Sequence, residues 1–258
     1  MANAVMTELG HHLCRVDTIQ LIAHPGYGYR AGGALDDTAF KAMLEGLSDF
    51  QLEPRIDSIM TGYMGTESQV LMIAEAIVKI RAIRPDLDLL VDPAFGDHGK
   101  LYVDEKIAHL ITQHLIPLAQ VITPNFFEFC HITGEDIASL EDAIKAGHSL
   151  IAKNQNLRAI AVTGCALHKD EKISDIWIEA ADSASFDAPI LTHNEKGMSG
   201  GGDLFAALLM GFRMLGHDWR DAFSQTAKLS RKIINGTDKN GAIDIDLELL
   251  KDVLKDRA

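Results

Sequence analysis

The chain has 258 residues, 47% of them hydrophobic and 24% charged, which is the composition of a globular protein with a well-buried core. Its formal net charge of −13 argues against nucleic acid as a partner, although a nucleotide needs only a local anion site. No apolar run reaches the length of a membrane span and the first residues lack the pattern of a signal peptide, so we expect a cytoplasmic protein without membrane contacts.

Hydrophobic periodicity divides the chain into alternating strands and helices. Apolar residues at helical spacing predict helices over residues 2–13, 37–47, 66–83, 104–115, 125–132, 140–153, 204–215, 218–235 and 246–255. Short apolar runs predict strands over residues 15–22, 57–62, 88–91, 119–122, 158–162, 172–179 and 185–191, the last two antiparallel. This alternation predicts a mostly parallel α/β sheet covered on both faces. No linker or repeat interrupts it, so we expect one domain over residues 1–258.

Residues 197–209 (GMSGGGDLFAALL) have a run of glycines followed by an acid and an apolar helix. Consecutive glycines are costly in regular structure and useful where the backbone must approach a ligand closely. We therefore expect a glycine turn that leads to a helix N-terminus, where free N–H groups bind anions. Asp203 is either a base beside that anion or an acid that complements the helix dipole, and this stretch alone favours neither.

Polar residues follow the predicted strands at their carboxyl ends. Tyr63, Asp92, Asn125 and Thr163 occupy such positions, each directly after an apolar run or within a few residues of its end. Ligands of open α/β sheets bind beyond the carboxyl ends of the strands, so these residues together predict a shared cleft.

Asn125 and Glu128 have two interpretations. An Asn followed three residues later by Glu is a capping-box pattern at the start of a helix. The alternative is that Glu128 helps to hold Mg²⁺, which takes one or two carboxylates together with waters and substrate phosphates. Asp92 and Asp97 would add negative charge to such a site, or they are ordinary loop acids.

Other site types find less support. Residues 23–33 are rich in glycine and tyrosine and form either a surface connection or a lid over a site. The sequence contains no P-loop pattern and no pair of histidines at zinc-ligand spacing. The glycines at 26–28 and 200–202 do not complete a dinucleotide fingerprint, which weakens the hypothesis of an NAD-dependent oxidoreductase. Three distant cysteines fit a reducing compartment rather than a disulfide framework.

Five motifs together resemble the pyridoxal/pyridoxine/pyridoxamine kinases of the ribokinase-like superfamily. They are HPGYG (24–28), TGYMG (61–65), DPAFGDHGKLYV (92–103), TPNFFE (123–128) and GGGDLFAALL (200–209). They occur in family order and with family-like spacing, and the resemblance as a whole runs from about residue 2 to the last helices. The resemblance implies a ribokinase-like three-layer α/β/α sandwich. It also implies phosphorylation of the 5′-hydroxymethyl group of a B6 vitamer by ATP, in pyridoxal 5′-phosphate salvage.

The resemblance assigns roles at the vitamer end of the site. Asp203 is expected to remove the proton of the hydroxymethyl group. The backbone N–H groups of Gly200, Gly201 and Gly202 are expected to surround the transferred phosphoryl group. Tyr63 is expected near the pyridine ring, while His24 and Tyr27 belong to a flap over the substrate.

The same resemblance assigns the nucleotide end and the partners. Asp92, Asn125, Thr163 and Gly202 are expected to contact ATP, and Glu128 with Asp92 is expected to act on Mg²⁺. K⁺ is a further, optional cofactor. The family also implies a homodimer.

The chain departs from the family pattern at several positions. Gly201 stands where relatives carry Thr, Val or Ala, and Pro25 stands where they carry Thr. The family's first strand and its Ser/Gly turn have no counterpart before residue 2, so we expect either a chain whose true start lies upstream or an N-terminally truncated relative. One alternative is therefore a non-catalytic B6- or nucleotide-binding protein. Another is a hydroxymethylpyrimidine kinase, although those relatives can carry Cys at the position of Asp203 and lack the aromatic flap.

Overall fold

The computed structural model describes residues 1–23, 27–167, 172–189, 199–239 and 244–255. Its strands are β1 (Ile19–Leu21), β2 (Gly32–Ala34), β3 (Ser58–Thr61), β4 (Asp88–Val91), β5 (Gly96–Asp97), β6 (Lys100–Leu101), β7 (Val121–Ile122), β8 (Ala159–Cys165), β9 (Lys172–Glu179) and β10 (Ser183–Pro189). Its α-helices are α1 (Ala2–Glu8), α2 (Asp37–Asp49), α3 (Glu67–Ile83), α4 (Glu105–Leu110), α5 (Phe126–Thr133), α6 (Leu140–Lys153), α7 (Gly201–Met214), α8 (Trp219–Lys239) and α9 (Leu247–Lys255).

The central sheet has six of these strands, in the order β10-β9-β8-β7-β4-β3. β3, β4, β7 and β8 pair in parallel, whereas β9 runs antiparallel to both β8 and β10. The parallel strands place their carboxyl ends, and the polar residues that follow them, at one edge. The predicted mostly parallel sheet with an antiparallel last pair is confirmed.

Helices cover both faces of the sheet. On one face Leu90 and Trp177 pack against residues of α1, α7, α8 and α9. On the other face Leu89 and Val91 pack with residues of α3, α4 and α6. Alternate residues of β4 thus enter opposite cores, which is the pattern of a strand buried on both sides. The expected three-layer α/β/α arrangement is confirmed.

Helix α7 begins earlier than its sequence predicts. The prediction had glycines 200–202 as a turn and the helix from residue 204, but only Gly200 is outside the helix, with φ of +87° at the N-cap. Gly201 and Gly202 form the first helical turn. Every residue from Leu204 to Phe212 is buried, so packing of the helix compensates for the poor helix propensity of its first glycines.

Several other predicted elements also differ in extent. The prediction ended strand β8 at residue 162, but the strand continues through Thr163 and Gly164 to Cys165. The pairing with β9 is irregular between Val162 and Cys165, so these two residues lie in the strand as a bulge. β1 is shorter than predicted, and α1 ends where Gly10 adopts φ of +85°. The loop after β4 contains the small β5–β6 hairpin, which sequence periodicity missed because its strands have two residues each.

All three cysteines are free thiols. Within the part of the chain that the structure describes, helices long and apolar enough to cross a bilayer are absent.

Candidate active site

The N-terminus of α7 forms one side of the candidate site. The N–H of Leu204 donates to the carbonyl of Gly200, which closes the first turn. The N–H groups of Gly201, Gly202 and Asp203 precede that bond and have no acceptor within the helix. Gly202 and Asp203 are exposed. The segment therefore presents backbone donors, the positive end of the helix dipole and one carboxylate to the same space, which is an anion-binding arrangement.

The loop after β3 lies close to Asp203. A Cβ atom added to Gly62 would lie 4.0 Å from Asp203 Oδ1, so glycine at this position leaves the carboxylate open to an approaching group. The next residue, Tyr63, is half-buried at the same edge. The structure thus brings Asp203 and the predicted ring-binding loop together.

Asp92 lies at the end of β4, at the centre of the site. Its side chain is buried, and Oδ1 accepts a hydrogen bond of 2.9 Å from the hydroxyl of Thr123. Burial raises the pKa of Asp92 well above its ordinary value, and the negative charges of Glu128 and Asp203 raise it further. Carboxylates from three different elements therefore form one cluster of like charges.

Glu128 is the most strongly hydrogen-bonded acid of this cluster. Oε1 accepts from the N–H groups of Phe95 and Gly96, at 2.8 and 3.2 Å, and Oε2 accepts from the N–H of Asn125 at 3.0 Å. Burial raises the pKa of Glu128 to about 7, while these backbone hydrogen bonds oppose the shift. The capping box that the sequence allowed is present, and Glu128 also ties α5 to the loop after Asp92.

Asn125 and Thr163 meet at the neighbouring strand ends. The side chain of Asn125 caps α5 and its Nδ2 donates to the carbonyl of Gly96, at 2.7 Å. The N–H of Thr163 donates to the carbonyl of Pro124 at 2.9 Å, and Thr163 forms an isolated parallel bridge with Asn125. Two of the four residues predicted to contact ATP, Asn125 and Thr163, are therefore adjacent, and the side chain of Asn125 is engaged by protein backbone.

The structure describes only part of the predicted aromatic flap. His24 and Pro25 lie outside the described residues. Tyr27 is exposed, and its hydroxyl donates to Asp244 Oδ2 at 2.8 Å. Asp244 also forms a backbone bridge with Ser199, which immediately precedes the glycines of α7. Sequence reasoning missed Asp244, because no local pattern distinguishes this acid from the other acids of the chain.

Tyr102 is a second residue that sequence reasoning left without a role. It follows the β5–β6 hairpin, and its ring stacks on that of Tyr63 with centroids 6.2 Å apart. The signal that could have found it is its place at the end of the motif over residues 92–103. Asp97, in the same hairpin, is exposed and contributes to the raised pKa of Glu128.

The described residues contain no set of three His, Cys, Asp or Glu side chains that could enclose a metal ion by themselves. Mg²⁺ does not need such a set, because it keeps several waters and takes phosphate oxygens from a substrate. Asp92 and Glu128 are hard oxygen donors, both buried, and both have a raised pKa because burial and like charges disfavour their ionised forms. A divalent cation would relieve that repulsion, so these residues fit magnesium.

The sheet, its two helical layers and a helix N-terminus beside acids at the strand ends define a protein of the ribokinase-like α/β class. The model of the phosphomethylpyrimidine kinase family matches residues 19–244. The chain belongs to this family. Its resemblance to pyridoxal kinases, predicted from the five motifs, is confirmed by the curated relatives.

A pyridoxal kinase PdxY of Granulibacter bethesdensis is 30% identical over 245 residues, which are 92% of this chain and 84% of the relative. A pyridoxal kinase of Arabidopsis thaliana is 33% identical over 212 residues, 79% of this chain and 65% of the relative. The pyridoxal kinase of Leishmania donovani, solved with ADP and pyridoxamine, superimposes with a TM-score of 0.86 at 22% identity, covering 98% of this chain and 89% of that one. This last likeness shows the shared fold.

Proposed function

We propose that this chain transfers the γ-phosphoryl group of ATP to the 5′-hydroxymethyl group of a B6 vitamer: pyridoxal, pyridoxine or pyridoxamine. Curated relatives at 30% and 33% identity are named pyridoxal kinases, and a structural neighbour was solved with ADP and pyridoxamine. The observation that carries the proposal is the first turn of α7. There Asp203 stands beside backbone N–H groups with no partner in the helix, so a base and an anion site share one helix terminus.

At the phosphoryl end, Asp203 accepts the proton of the hydroxymethyl group while the oxygen of that group attacks the γ-phosphorus of ATP. The new O–P bond forms while the bond between the γ-phosphorus and the bridging oxygen breaks, and ADP leaves with that electron pair. The N–H groups of Gly200, Gly201 and Gly202 stabilise the charge of the phosphoryl group in flight. Removing one preorganised donor of this kind typically costs about 3–4 kcal/mol of transition-state stabilisation.

At the nucleotide end, Asp92, Asn125, Thr163 and Gly202 bind ATP. Glu128 and Asp92 would hold Mg²⁺, which when bound neutralises phosphate charge and orients the nucleotide. The three backbone hydrogen bonds of Glu128 leave its carboxylate fixed in direction, which suits contact through water. A dependence on K⁺ belongs to the same proposal and is tested by comparing turnover in potassium and sodium buffers.

At the vitamer end, Tyr63 packs against the pyridine ring, and His24 and Tyr27 close over it. The stack of Tyr63 on Tyr102 supports this placement, because it orients the Tyr63 ring at the same edge of the sheet as Asp203. The hydrogen bond between Tyr27 and Asp244 supports a flap that reaches the segment preceding the glycines.

The test is turnover by Asp203→Asn beside wild type, measured as phosphorylated vitamer. The amide cannot accept the proton, so kcat should fall by about 10²- to 10⁴-fold while calorimetry shows unchanged ATP affinity. Asp252→Asn, which alters an exposed acid on α9, is the matched control and should keep wild-type turnover. Turnover of Asp203→Asn within threefold of wild type would exclude the proposed base.

A second candidate is a hydroxymethylpyrimidine kinase, because the matching family model carries the description phosphomethylpyrimidine kinase. The values of kcat/KM for the pyrimidine and for the three vitamers separate the two candidates. Binding of ATP and pyridoxal without any product would instead identify a non-catalytic relative.

We further propose that residues 1–258 form one domain, that two copies form a homodimer and that the protein is cytoplasmic. The curated relatives match across most of this chain, which supports the single domain. Sedimentation velocity tests the dimer, and fluorescence microscopy of a tagged chain tests the location.

A further inference from the structure

Strand β8 contains an irregularity at the point where it reaches the candidate site. Val162 pairs with Ile176 and Cys165 pairs with Ser174, so two residues of β8 face the single residue Asp175 of β9. These two residues are Thr163 and Gly164, and Gly164 has φ of +73°. A bulge of this kind redirects backbone groups at the end of a strand.

The carboxylate of Asp175 occupies the bulge. Its Oδ1 accepts a hydrogen bond of 3.0 Å from the N–H of Gly164 and another of 2.8 Å from the guanidinium of Arg231 on α8. Asp175 is 1% exposed. One buried oxygen therefore ties the backbone of β8 to a helix in the layer beside it.

This contact has a consequence for the next residue along the cleft. Because the N–H of Gly164 is held by Asp175, the preceding N–H, that of Thr163, is directed the other way and donates to Pro124. That bond joins β8 to the segment that carries Asn125. Asp175 thus supports two of the four residues assigned to ATP, Thr163 and Asn125.

Arg231 also connects the bulge to the phosphoryl end. One turn further along α8, Ile234 packs against the first turn of α7, since a Cβ on Gly201 would lie 3.7 Å from its Cδ1. The same stretch of α8 therefore supports the glycines and, through Arg231, the bulge. The chemistry described above uses neither Asp175 nor Arg231.

We propose that Asp175, held by Arg231, is a positioning residue that keeps the Thr163–Gly164 bulge in the conformation that binds ATP. The inference rests on the proposed function, which assigns Thr163 and Asn125 to the nucleotide. A buried ion pair is weak evidence of stability in itself. Its value here is conformational, because the Asp175 carboxylate holds the N–H of Gly164 while the N–H of Thr163 bonds to the carbonyl of Pro124, and the two bonds together fix the shape of the bulge.

The test compares Asp175→Ala with Asp175→Asn in steady-state kinetics. Alanine removes the acceptor of Gly164, so KM for ATP should rise by about tenfold, with KM for the vitamer within about twofold and kcat within about threefold of wild type. Asparagine keeps an oxygen that accepts from the same N–H, so it should bring KM for ATP back to within about threefold of wild type.

Two further variants separate positioning from stability. In Asp175→Ala/Arg231→Met the arginine charge is removed together with the carboxylate, so this variant should fold even where the single one does not, and it should show the same rise in KM for ATP. Ser174, the neighbour of Asp175 on β9, donates a part-buried hydrogen bond to Asp187 of β10, and Ser174→Ala loses it. It should lower the melting temperature and leave KM for ATP unchanged. Equal rises in both KM values, or a rise in Ser174→Ala, would overturn the proposal.

Amide hydrogen exchange tests the geometry without kinetics. In ¹⁵N-labelled wild-type protein the Gly164 amide should exchange slowly, and in the double variant it should exchange much faster. Rapid exchange in wild type would overturn the proposal whether or not the variants fold. If wild type phosphorylates no vitamer, the proposed function is wrong but the proposal for Asp175 still stands to be decided. Slow exchange of the Gly164 amide and the ATP affinity of the variants, measured by calorimetry, decide it.

Discussion

The rings of Tyr63 and Tyr102 stack with their centroids 6.2 Å apart and their planes inclined by 25°. Tyr63 follows β3, and Tyr102 follows the β5–β6 hairpin, so the stack joins two loops at the carboxyl edge of the sheet. The backbone of Tyr63 is also fixed, because the hydroxyl of Thr18 donates a hydrogen bond of 2.7 Å to the Tyr63 carbonyl. An orientation fixed on both sides suits the role proposed for the Tyr63 ring, which is to pack against the planar ring of the vitamer.

We predict that Tyr102→Ala raises KM for the vitamer by about tenfold, because an aromatic pair contributes about 0.5–1.5 kcal/mol to the orientation of its rings. KM for ATP should stay within about twofold of wild type. Steady-state kinetics with each substrate in turn measures both effects. Tyr102→Phe keeps the stack and is the control, and a loss as large in Phe as in Ala would assign the effect to the hydroxyl instead.

Gly200 and Gly201 should respond in opposite ways to alanine. Gly201 is helical, and a Cβ there would make an ordinary contact of 3.7 Å with Ile234. Gly201→Ala should therefore raise the free energy of unfolding by about 0.5–1 kcal/mol, since alanine restricts the unfolded chain. Gly200 has φ of +87°, which alanine adopts only with strain, so Gly200→Ala should lower the free energy of unfolding by about 1–2 kcal/mol. Urea unfolding of both variants measures the pair, and a loss of stability in Gly201→Ala would contradict the assigned helix start.

Elements with strong local signals were predictable. The bounds of α6 and β4 agree with their predictions, because the amphipathic run of α6 has a serine cap and β4 is a short apolar run that ends before Pro93. The start of α7 was not predictable, since packing along the whole helix rather than local propensity makes Gly201 and Gly202 helical.

The candidate site was predictable where its residues follow strands. Asp92, Asn125 and Thr163 lie together because parallel strands end at one edge, and Asp203 joins them through α7. Tyr102, Asp175 and Asp244 could not be found in this way. Each acts through a partner distant in sequence, on another strand, helix or loop, and a single sequence without its fold gives no distance between them.

The hydrogen bond from Tyr27 to Asp244 predicts a contribution of the flap to vitamer binding. Tyr27→Phe removes the donor and keeps the ring, so KM for the vitamer should rise by about three- to tenfold with kcat and the melting temperature unchanged. Asp244→Asn keeps an acceptor and should retain most of the affinity. Tyr29→Phe alters a neighbouring exposed tyrosine and is the matched control. An equal effect in Tyr29→Phe would assign the change to the loop as a whole rather than to this hydrogen bond.

The raised pKa of Glu128 predicts how stability depends on pH in the absence of metal and nucleotide. Its pKa is about 7 in the folded protein and near its ordinary value of 4.5 in the unfolded chain, so the folded state holds the proton more tightly. The contribution of Glu128 to the free energy of unfolding should therefore be fully present below pH 4.5. It should fall as pH rises through 7, by up to about 3 kcal/mol in all. Asp92, whose pKa is also raised, acts in the same direction.

Urea unfolding across this pH range measures the change in the free energy of unfolding. Glu128→Gln lacks the titrating group and should show a shallower dependence, whereas Glu248→Gln on the exposed face of α9 should behave as wild type. Identical curves for Glu128→Gln and wild type would contradict the assignment.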